Sequence, residues 1–300
     1  MTPLVFRAPA KVNLGLRCSS RQPDGYHRLT TVFMAVELAD TLTVSTLPGR
    51  IEVEISGEGA GLIPTDGTDL TGRAVALLRD RFGDSTMGVR LMVDKAIPVA
   101  GGMAGGSADA AAALRACNDL WELGVGDDDL MALATELGAD VPFALLGGVA
   151  LGVRRGDLLT ALPGQGMYHW VFALARQGLS TPAVFAKYDE MFSGGHDAGP
   201  LDDLIEVLTS GDASQLGPHL VNELTPAAVA LRPELGDTLA FGATLPGVVG
   251  AVLDGSGPTC AFLCETQEAA DEAAARLPGL PQVASTRVAG GPVNGVTRVG

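Results

Sequence analysis

Apolar and polar residues alternate with a period of two through much of the first third of the chain. Val12, Leu14 and Leu16 alternate with Asn13 and Gly15, and Ile51, Val53 and Ile55 with Glu52 and Glu54. This period marks a strand with one buried face. It predicts extended segments over 5–8, 11–17, 30–38, 41–46, 51–55 and 89–93. The period then lengthens. Ala74, Leu77, Leu78 and Phe82 share one side of a predicted helix over 70–82. Leu114, Cys117 and Trp121 repeat helical spacing in an alanine-rich run that predicts a helix from Ser107 to residue 123. Further helices are expected over 128–137 and 142–146.

The chain turns back to a strand over 147–153, and Leu162-Pro-Gly-Gln-Gly then breaks the pattern. A domain boundary near residue 160 is expected, giving domains 1–160 and 161–300. The second half alternates differently. Strands are predicted over 170–175, 248–253, 260–264 and 282–288, and helices over 181–192, 201–208 and 267–277. Two strand–helix–strand units, with one layer of sheet and one of helices, would suit this order.

Composition narrows the class. Of 300 residues, 47% are hydrophobic and 18% charged, as in a folded globular chain. The net charge of −15 argues against non-specific binding to nucleic acid or an anionic membrane. A phosphate site on such a chain must be built locally, from backbone amides, a few cations and metal. The four cysteines, Cys18, Cys117, Cys260 and Cys264, form no C-x-x-C pair, which fits reduced thiols in a cytoplasmic protein. The start of the chain lacks a signal-peptide core, and no apolar run is long enough to span a bilayer. Only three lysines occur, Lys11, Lys95 and Lys187.

Residues 98–112 carry the strongest chemical signal. Gly101, Gly102, Gly105 and Gly106 precede Ser107 and the alanine-rich helix. Glycines let a backbone approach an anion closely, and a helix start adds unpaired N–H groups and the positive end of its dipole. The pattern P-x-x-G-G-x-x-G-G-S is neither a P-loop, since no lysine follows Gly106, nor the G-x-G-x-x-G dinucleotide fingerprint. Read alone, it is either a phosphate cradle or a flexible turn ending in a serine-capped helix.

Other segments hold candidate chemistry. Lys11 sits among Pro9, Ala10, Val12 and Leu14, unusually apolar company for a solvated charge. Asp24-Gly25 signals a turn, after which Tyr26 and His27 place a flat ring beside a titratable one, either as ordinary loop residues or as a stacking and hydrogen-bonding pair for a heteroaromatic ligand. Asp140 precedes Pro142 as a helix cap, and a capped carboxylate is rigid and ionised, as a positioned base must be. Thr181-Pro182 opens a helix carrying Phe185. Gly255, Ser256 and Gly257 lie between two strands, as a hairpin turn or as a second set of phosphate-facing amides.

Together these segments resemble the GHMP kinases, a superfamily of small-molecule kinases. The family loop reads P-x-x-x-G-L-G-S-S-A-A, or P-x-G-G-G-L-G-G-G-S-S-N-A-A in one branch. Pro98 to Ala112 resembles that branch, with Met103-Ala104 in place of Leu-Gly and Ala108-Asp109 in place of Ser-Asn. Asp109 stands near metal or favours the helix dipole. The resemblance spans the whole chain through Ala8-Pro-Ala-Lys-Val-Asn-Leu, Asp24-Gly-Tyr-His, Gly138-Ala-Asp-Val-Pro-Phe and Asp254-Gly-Ser-Gly-Pro-Thr. It implies an α+β fold, with a ribosomal protein S5 domain 2-like first half that binds ATP and a ferredoxin-like second half for the substrate. It implies Lys11 and Asp140 as the catalytic pair. Pro98, Gly101, Gly102, Met103, Ala104, Gly105, Gly106 and Ser107 would hold the phosphates of ATP, with Ser107 also contacting Mg2+. The implied substrate is a small molecule, a cytidine diphosphate-linked methylerythritol. Its cytosine would lie between Tyr26 and Phe185 and bond to His27, with Asn13, Gly255, Ser256 and Gly257 also on substrate. Members acting on mevalonate or homoserine have no base to stack. A monomer or homodimer, with neither nucleic acid nor membrane as partner, completes the expectation.

Overall fold

The alternating segments of the first third join into two long antiparallel strands in the computed structural model, which describes residues 2–64 and 68–299. Strand β1 (Leu4–Arg21) contains both segments expected at 5–8 and 11–17, and β2 (His27–Thr46) both of those at 30–38 and 41–46. A register shift at Pro9/Ala10 lets the strand continue through a residue with no N–H. Beside them lie β3 (Ile51–Gly57), β4 (Val89–Lys95), β5 (Val149–Arg154) and β6 (Leu158–Leu162).

Helices α1 (Leu70–Phe82), α2 (Gly105–Leu120), α3 (Asp127–Leu137) and α4 (Val141–Leu146) belong to this lobe. Ala110, Ala111, Ala113, Leu114 and Cys117 of α2 share a buried core with Val12, Leu14, Leu42 and Leu91 of the strands. The small alanines let α2 settle closely on the sheet. The 70–82 helix has the predicted bounds. Helix α2 starts at Gly105, two residues before the expected Ser107, and ends at Leu120 rather than 123.

The second sheet has the order β11-β7-β10-β9, formed by β7 (Tyr168–Ala175), β9 (Val248–Leu253), β10 (Cys260–Cys264) and β11 (Val283–Gly291). Its members are antiparallel and stand in the sequence order fourth-first-third-second, the split strand–helix–strand arrangement the pattern suggested. Helix α5 (Thr181–Met191) and the helix Gln267–Arg276 were expected. The helices Thr225–Leu231 and Pro233–Gly242 were not. Each is short and has a proline in its first turn, so neither offers a long apolar period.

A division at residue 160 falls within β6, and the chain leaves the larger sheet at 163–167. Two short strands of the second half return to the first sheet. β8 (Val221–Asn222) pairs with β1 at Gly15 and Leu16, and β12 (Thr297–Val299) pairs with β1 at residues 5–7. Between these contacts the outer edge of β1 is open, and the site is built there.

Candidate active site

Two glycine turns enter the open edge of β1. The amide of Lys11 donates to the carbonyl of Met103 (3.3 Å), and the amide of Asn13 donates to Asp254 Oδ1 (3.0 Å). Asp254 follows directly on β9, so this one bond ties the second sheet to the first. The turns also meet each other. A Cβ on Gly102 would stand 2.5 Å from the Asp254 carbonyl oxygen, and a Cβ on Gly255 3.1 Å from Lys11 Nζ. Both residues have positive φ, +83° and +55°, so both the closeness and the conformation require glycine.

Lys11 is buried, and its ammonium faces three acceptors: Asn13 Oδ1 (2.6 Å), the Gly102 carbonyl, and Asp254 Oδ1 (3.1 Å). Asn13 is held in turn by a bond from Nδ2 to Thr31 (2.8 Å). Lys11 thus forms its ion pair with Asp254, while Asp140 borders the same cavity. Asp254 comes in along the free strand edge and fills the position beneath the lysine. Burial pushes the Asp254 carboxyl up, Lys11 and the Asn13 amide oppose this, and nearby Asp140 adds to it. Its Oδ2 is buried without a hydrogen-bond partner.

The start of α2 faces the same space. Ala104, in the left-handed conformation (φ +60°), precedes the helix without a side-chain cap. The first intrahelical bond runs from the Ala108 amide to the Ala104 carbonyl. The amides of Gly105, Gly106 and Ser107 therefore have no carbonyl within the helix. This replaces the serine-capped start with three consecutive bare amides. Pro98, Gly101, Gly102, Ala104, Gly105, Gly106 and Ser107 line a cavity of about 1070 Å³. Met103 does not line it. Its side chain is fully buried in the core, leaving the residue to act through its backbone on Lys11.

Asp140 lies on the same cavity wall, half-buried, at the residue before α4. Its side chain makes no cap bond, contrary to expectation. Pro142 in the first turn has no N–H to offer it, and the carboxylate remains available to the cavity. Behind the loop, Lys95 bridges the buried carboxylates of Asp40 and Asp109. Asp40 also accepts the amides of Ala96 (2.6 Å) and Ile97 (2.8 Å), fixing the lead-in to the glycines. Burial raises Asp109 to about 8 against the pull of Lys95. Burial lowers Lys95, but the two carboxylates outweigh it and hold the ammonium above its ordinary range.

Aromatic residues gather on the wall of the same cavity. His27 stacks on Phe185 with ring centroids 4.8 Å apart and planes at 27°. His27 Nε2 lies 2.7 Å from Asp189 Oδ1. Tyr26 is 58% exposed, with the Arg155 guanidinium 5.9 Å from its ring centre. Tyr26, His27, Phe185 and Asp189 all line the cavity. Phe185 stacks on the His27 imidazole, and Tyr26 stands on the same cavity wall as both. Thr181 Oγ1 bonds to Ser256 Oγ (2.7 Å), joining the start of α5 to the second glycine turn. Gly255 and Ser256 line the cavity, whereas Gly257 packs against Leu253.

Sequence reasoning missed Asp254, Asp40 and Asp189 as members of the site. No group of three or more His, Cys, Asp or Glu that could hold a metal occurs among the described residues. A magnesium ion arriving on phosphates needs only one or two protein oxygens. Ser107 and Asp109 line the cavity, and Asp109 Oδ1 is buried without a partner. The residues fit a cation carried by a nucleotide, not a self-contained metal centre.

A glycine-rich helix start opposite a buried lysine, between an S5-like lobe and a split strand–helix–strand lobe, defines the GHMP class of small-molecule kinase. The family models agree, with the GHMP kinases N terminal domain matching residues 69–148 and the GHMP kinases C terminal model residues 204–280. The 4-diphosphocytidyl-2-C-methyl-D-erythritol kinase of Nocardia farcinica is 51% identical over 98% of this chain and 95% of its own length. That of Thermobifida fusca is 50% identical over 99% of both. A crystal structure of 4-(cytidine 5'-diphospho)-2C-methyl-D-erythritol kinase aligns at 32% identity with a TM-score of 0.78, covering 95% of this chain and 98% of that one. Homoserine kinase from Cytophaga hutchinsonii shares the fold at 19% identity and a TM-score of 0.75, over 100% of this chain and 98% of that one. The chain belongs to the 4-diphosphocytidyl-2-C-methyl-D-erythritol kinase family.

Proposed function

We propose that the cleft transfers the γ-phosphoryl group of ATP to the 2-hydroxyl of 4-diphosphocytidyl-2-C-methyl-D-erythritol. The products are the 2-phosphate and ADP, in the non-mevalonate route to isoprenoid precursors. One observation carries this reading: the bare amides of Gly105 to Ser107, the Lys11 ammonium, the Asp140 carboxylate and the His27–Phe185 stack all border one cavity.

The alcohol is far from ionised at neutral pH, so attack needs a base. Asp140 accepts the proton as the new O–P bond forms. Lys11 is an oriented positive charge beside the reacting oxygens, and the amides at the start of α2 neutralise the β- and γ-phosphates. Pro98, Gly101, Gly102 and Ala104 shape the loop around them. Magnesium bound with the nucleotide would touch Ser107 and supply charge neutralisation on the phosphates. Asn13, Gly255 and Ser256 border the acceptor side. Tyr26, with its exposed ring, closes over the cytosine against the Phe185 side of the pocket.

Among the described residues no helix is long and apolar enough to cross a membrane. The four thiols are buried and free, with Cys18, Cys260 and Cys264 pushed up to about 12 by burial. The buried, free thiols support a reducing, cytoplasmic setting, and the enzyme is proposed to work on a small molecule as a monomer or homodimer. An ADP-release assay across the cytidylated methylerythritol, mevalonate, phosphomevalonate and homoserine tests the reading. Turnover of the first alone is expected, and equal or faster turnover of any other overturns it.

A further inference from the structure

The imidazole of His27 is fixed from one side only. Its Nε2 lies 2.7 Å from Asp189 Oδ1, and its face rests on Phe185. Phe185 and Asp189 are four residues apart on α5, one turn along the same helix face. The helix therefore offers a ring to support the imidazole and a carboxylate to bind its edge. The His27 side chain is 8% exposed and Asp189 31%, so the pair is shielded yet borders the cavity. Tyr188 meets the imidazole edge-on with centroids 6.2 Å apart, narrowing the room for it to rotate.

A carboxylate oxygen only accepts. The proton between the two groups must sit on Nε2, which leaves Nδ1 of the neutral ring as an acceptor. Cytosine presents an exocyclic amino donor at the position where uracil presents a carbonyl acceptor. An accepting Nδ1 bonds the first and repels the second. We infer that Asp189 is a specificity-determining positioning residue, which selects a cytosine-bearing substrate over its uracil counterpart by fixing the hydrogen-bonding state of His27.

The inference rests on the cytosine reading of the aromatic pocket, and it adds a residue four positions beyond the stacking phenylalanine. Asp189 acts through His27 and touches no reacting atom. A site built to bond one polar group discriminates strongly against an analogue with the wrong one, because a buried partner is left unpaired. Loss of the fixed state should therefore erode selectivity more than it slows chemistry.

The test uses the full-length enzyme with Asp189→Asn and Asp189→Ala, the cytidylated substrate and its uridylated analogue. The wild type is expected to favour the cytidylated compound in kcat/KM by about 100-fold or more. Asp189→Ala should lose about tenfold or more of that ratio, mainly through KM for the cytidylated substrate, with KM for ATP unchanged, and Asp189→Asn, whose amide oxygen still accepts from Nε2, should lose less. Nitrogen-15 NMR of the histidine ring in the free wild-type enzyme should show the proton on Nε2. A wild-type enzyme that does not separate the two substrates defeats the cytosine reading itself. A selective wild type whose variants keep the full ratio, or a His27 ring that carries a proton on Nδ1, alone or together with Nε2, overturns the role of Asp189 and leaves that reading standing.

Discussion

Lys11 Nζ and Asp254 Oδ1 stand 3.1 Å apart, both buried, across 243 positions of sequence and across the junction of the two sheets. An ammonium has three donors, and Asn13, the Gly102 carbonyl and Asp254 face all three. The lysine is a charge whose direction the protein has set before any ligand arrives. In the proposed reaction it would reach a phosphoryl oxygen by giving up one of these acceptors.

Removing Asp254 leaves that charge buried with no counter-ion and the Asn13 amide without an acceptor. Asp254→Ala should cost about 3–5 kcal/mol of stability, the range for breaking a buried pair from one side. Asp254→Asn keeps an acceptor oxygen at the same place and should cost clearly less. Denaturant unfolding of both variants checks this, and equal losses would show that the retained acceptor oxygen contributes nothing and that the missing charge accounts for the whole cost.

Asp140→Asn removes the proposed proton acceptor and keeps the shape of the wall. Turnover should fall roughly 10²- to 10⁴-fold, with little change in KM for ATP. Steady-state kinetics with each substrate varied decide the matter, and near-normal turnover would remove Asp140 from the chemistry.

Much of the scaffold was legible because it follows from local periodicity. The 70–82 helix and the β10 strand need only their own residues to be recognised. The glycine turn leading into α2 was legible because its glycines stand directly before an alanine-rich helical run. The partner of Lys11 was not. Nothing near Lys11 in sequence indicates that a residue 243 positions later will enter its strand edge, and the strands β8 and β12 that frame this gap are two and three residues long. The same distance hid the bond between His27 and Asp189, 162 positions apart. The early helix start was missed because Ser107 is a familiar cap, whereas a left-handed alanine at 104 gives no composition signal.

The two glycines of the cradle should fail in different ways. Gly102→Ala would push a methyl to 2.5 Å from the Asp254 carbonyl at φ +83°, so the turn must shift and both stability and ATP binding should suffer. A Cβ at Gly106 meets nothing within 4 Å, and alanine favours a helix by about 1 kcal/mol over glycine. Gly106→Ala should therefore melt no lower than wild type while raising KM for ATP by hindering the phosphates. Thermal melts paired with ATP titrations separate the two, and an unchanged KM for Gly106→Ala would place the phosphates elsewhere.

Tyr26 is the exposed ring of the pocket, so its loss should spare the fold. Tyr26→Ala should weaken the cytidylated substrate by about 1–3 kcal/mol, the worth of one stacked base, and leave ATP alone. Equal effects on both substrates would move the base out of this pocket.

The buried Asp40–Lys95–Asp109 group gives the fold a pH dependence whose sign can be worked out. Burial raises the Asp109 carboxyl from 3.8 to about 8. Between these values the native chain holds a proton that the unfolded chain has lost, so unfolding releases a proton and stability falls as pH rises. The contribution is fully present below about 4 and gone above about 8. Lys95 is raised above its ordinary range, so its own titration lies above this window. Asn at position 109 cannot ionise. Asp109→Asn should therefore gain on the wild type as pH rises, so that the variant-minus-wild-type difference in unfolding free energy is more positive at about pH 8 than at about pH 5. Urea unfolding of both proteins across that range measures the difference directly, and curves that run parallel would mean that Asp109 is ionised throughout, held so by Lys95 against the cost of its burial.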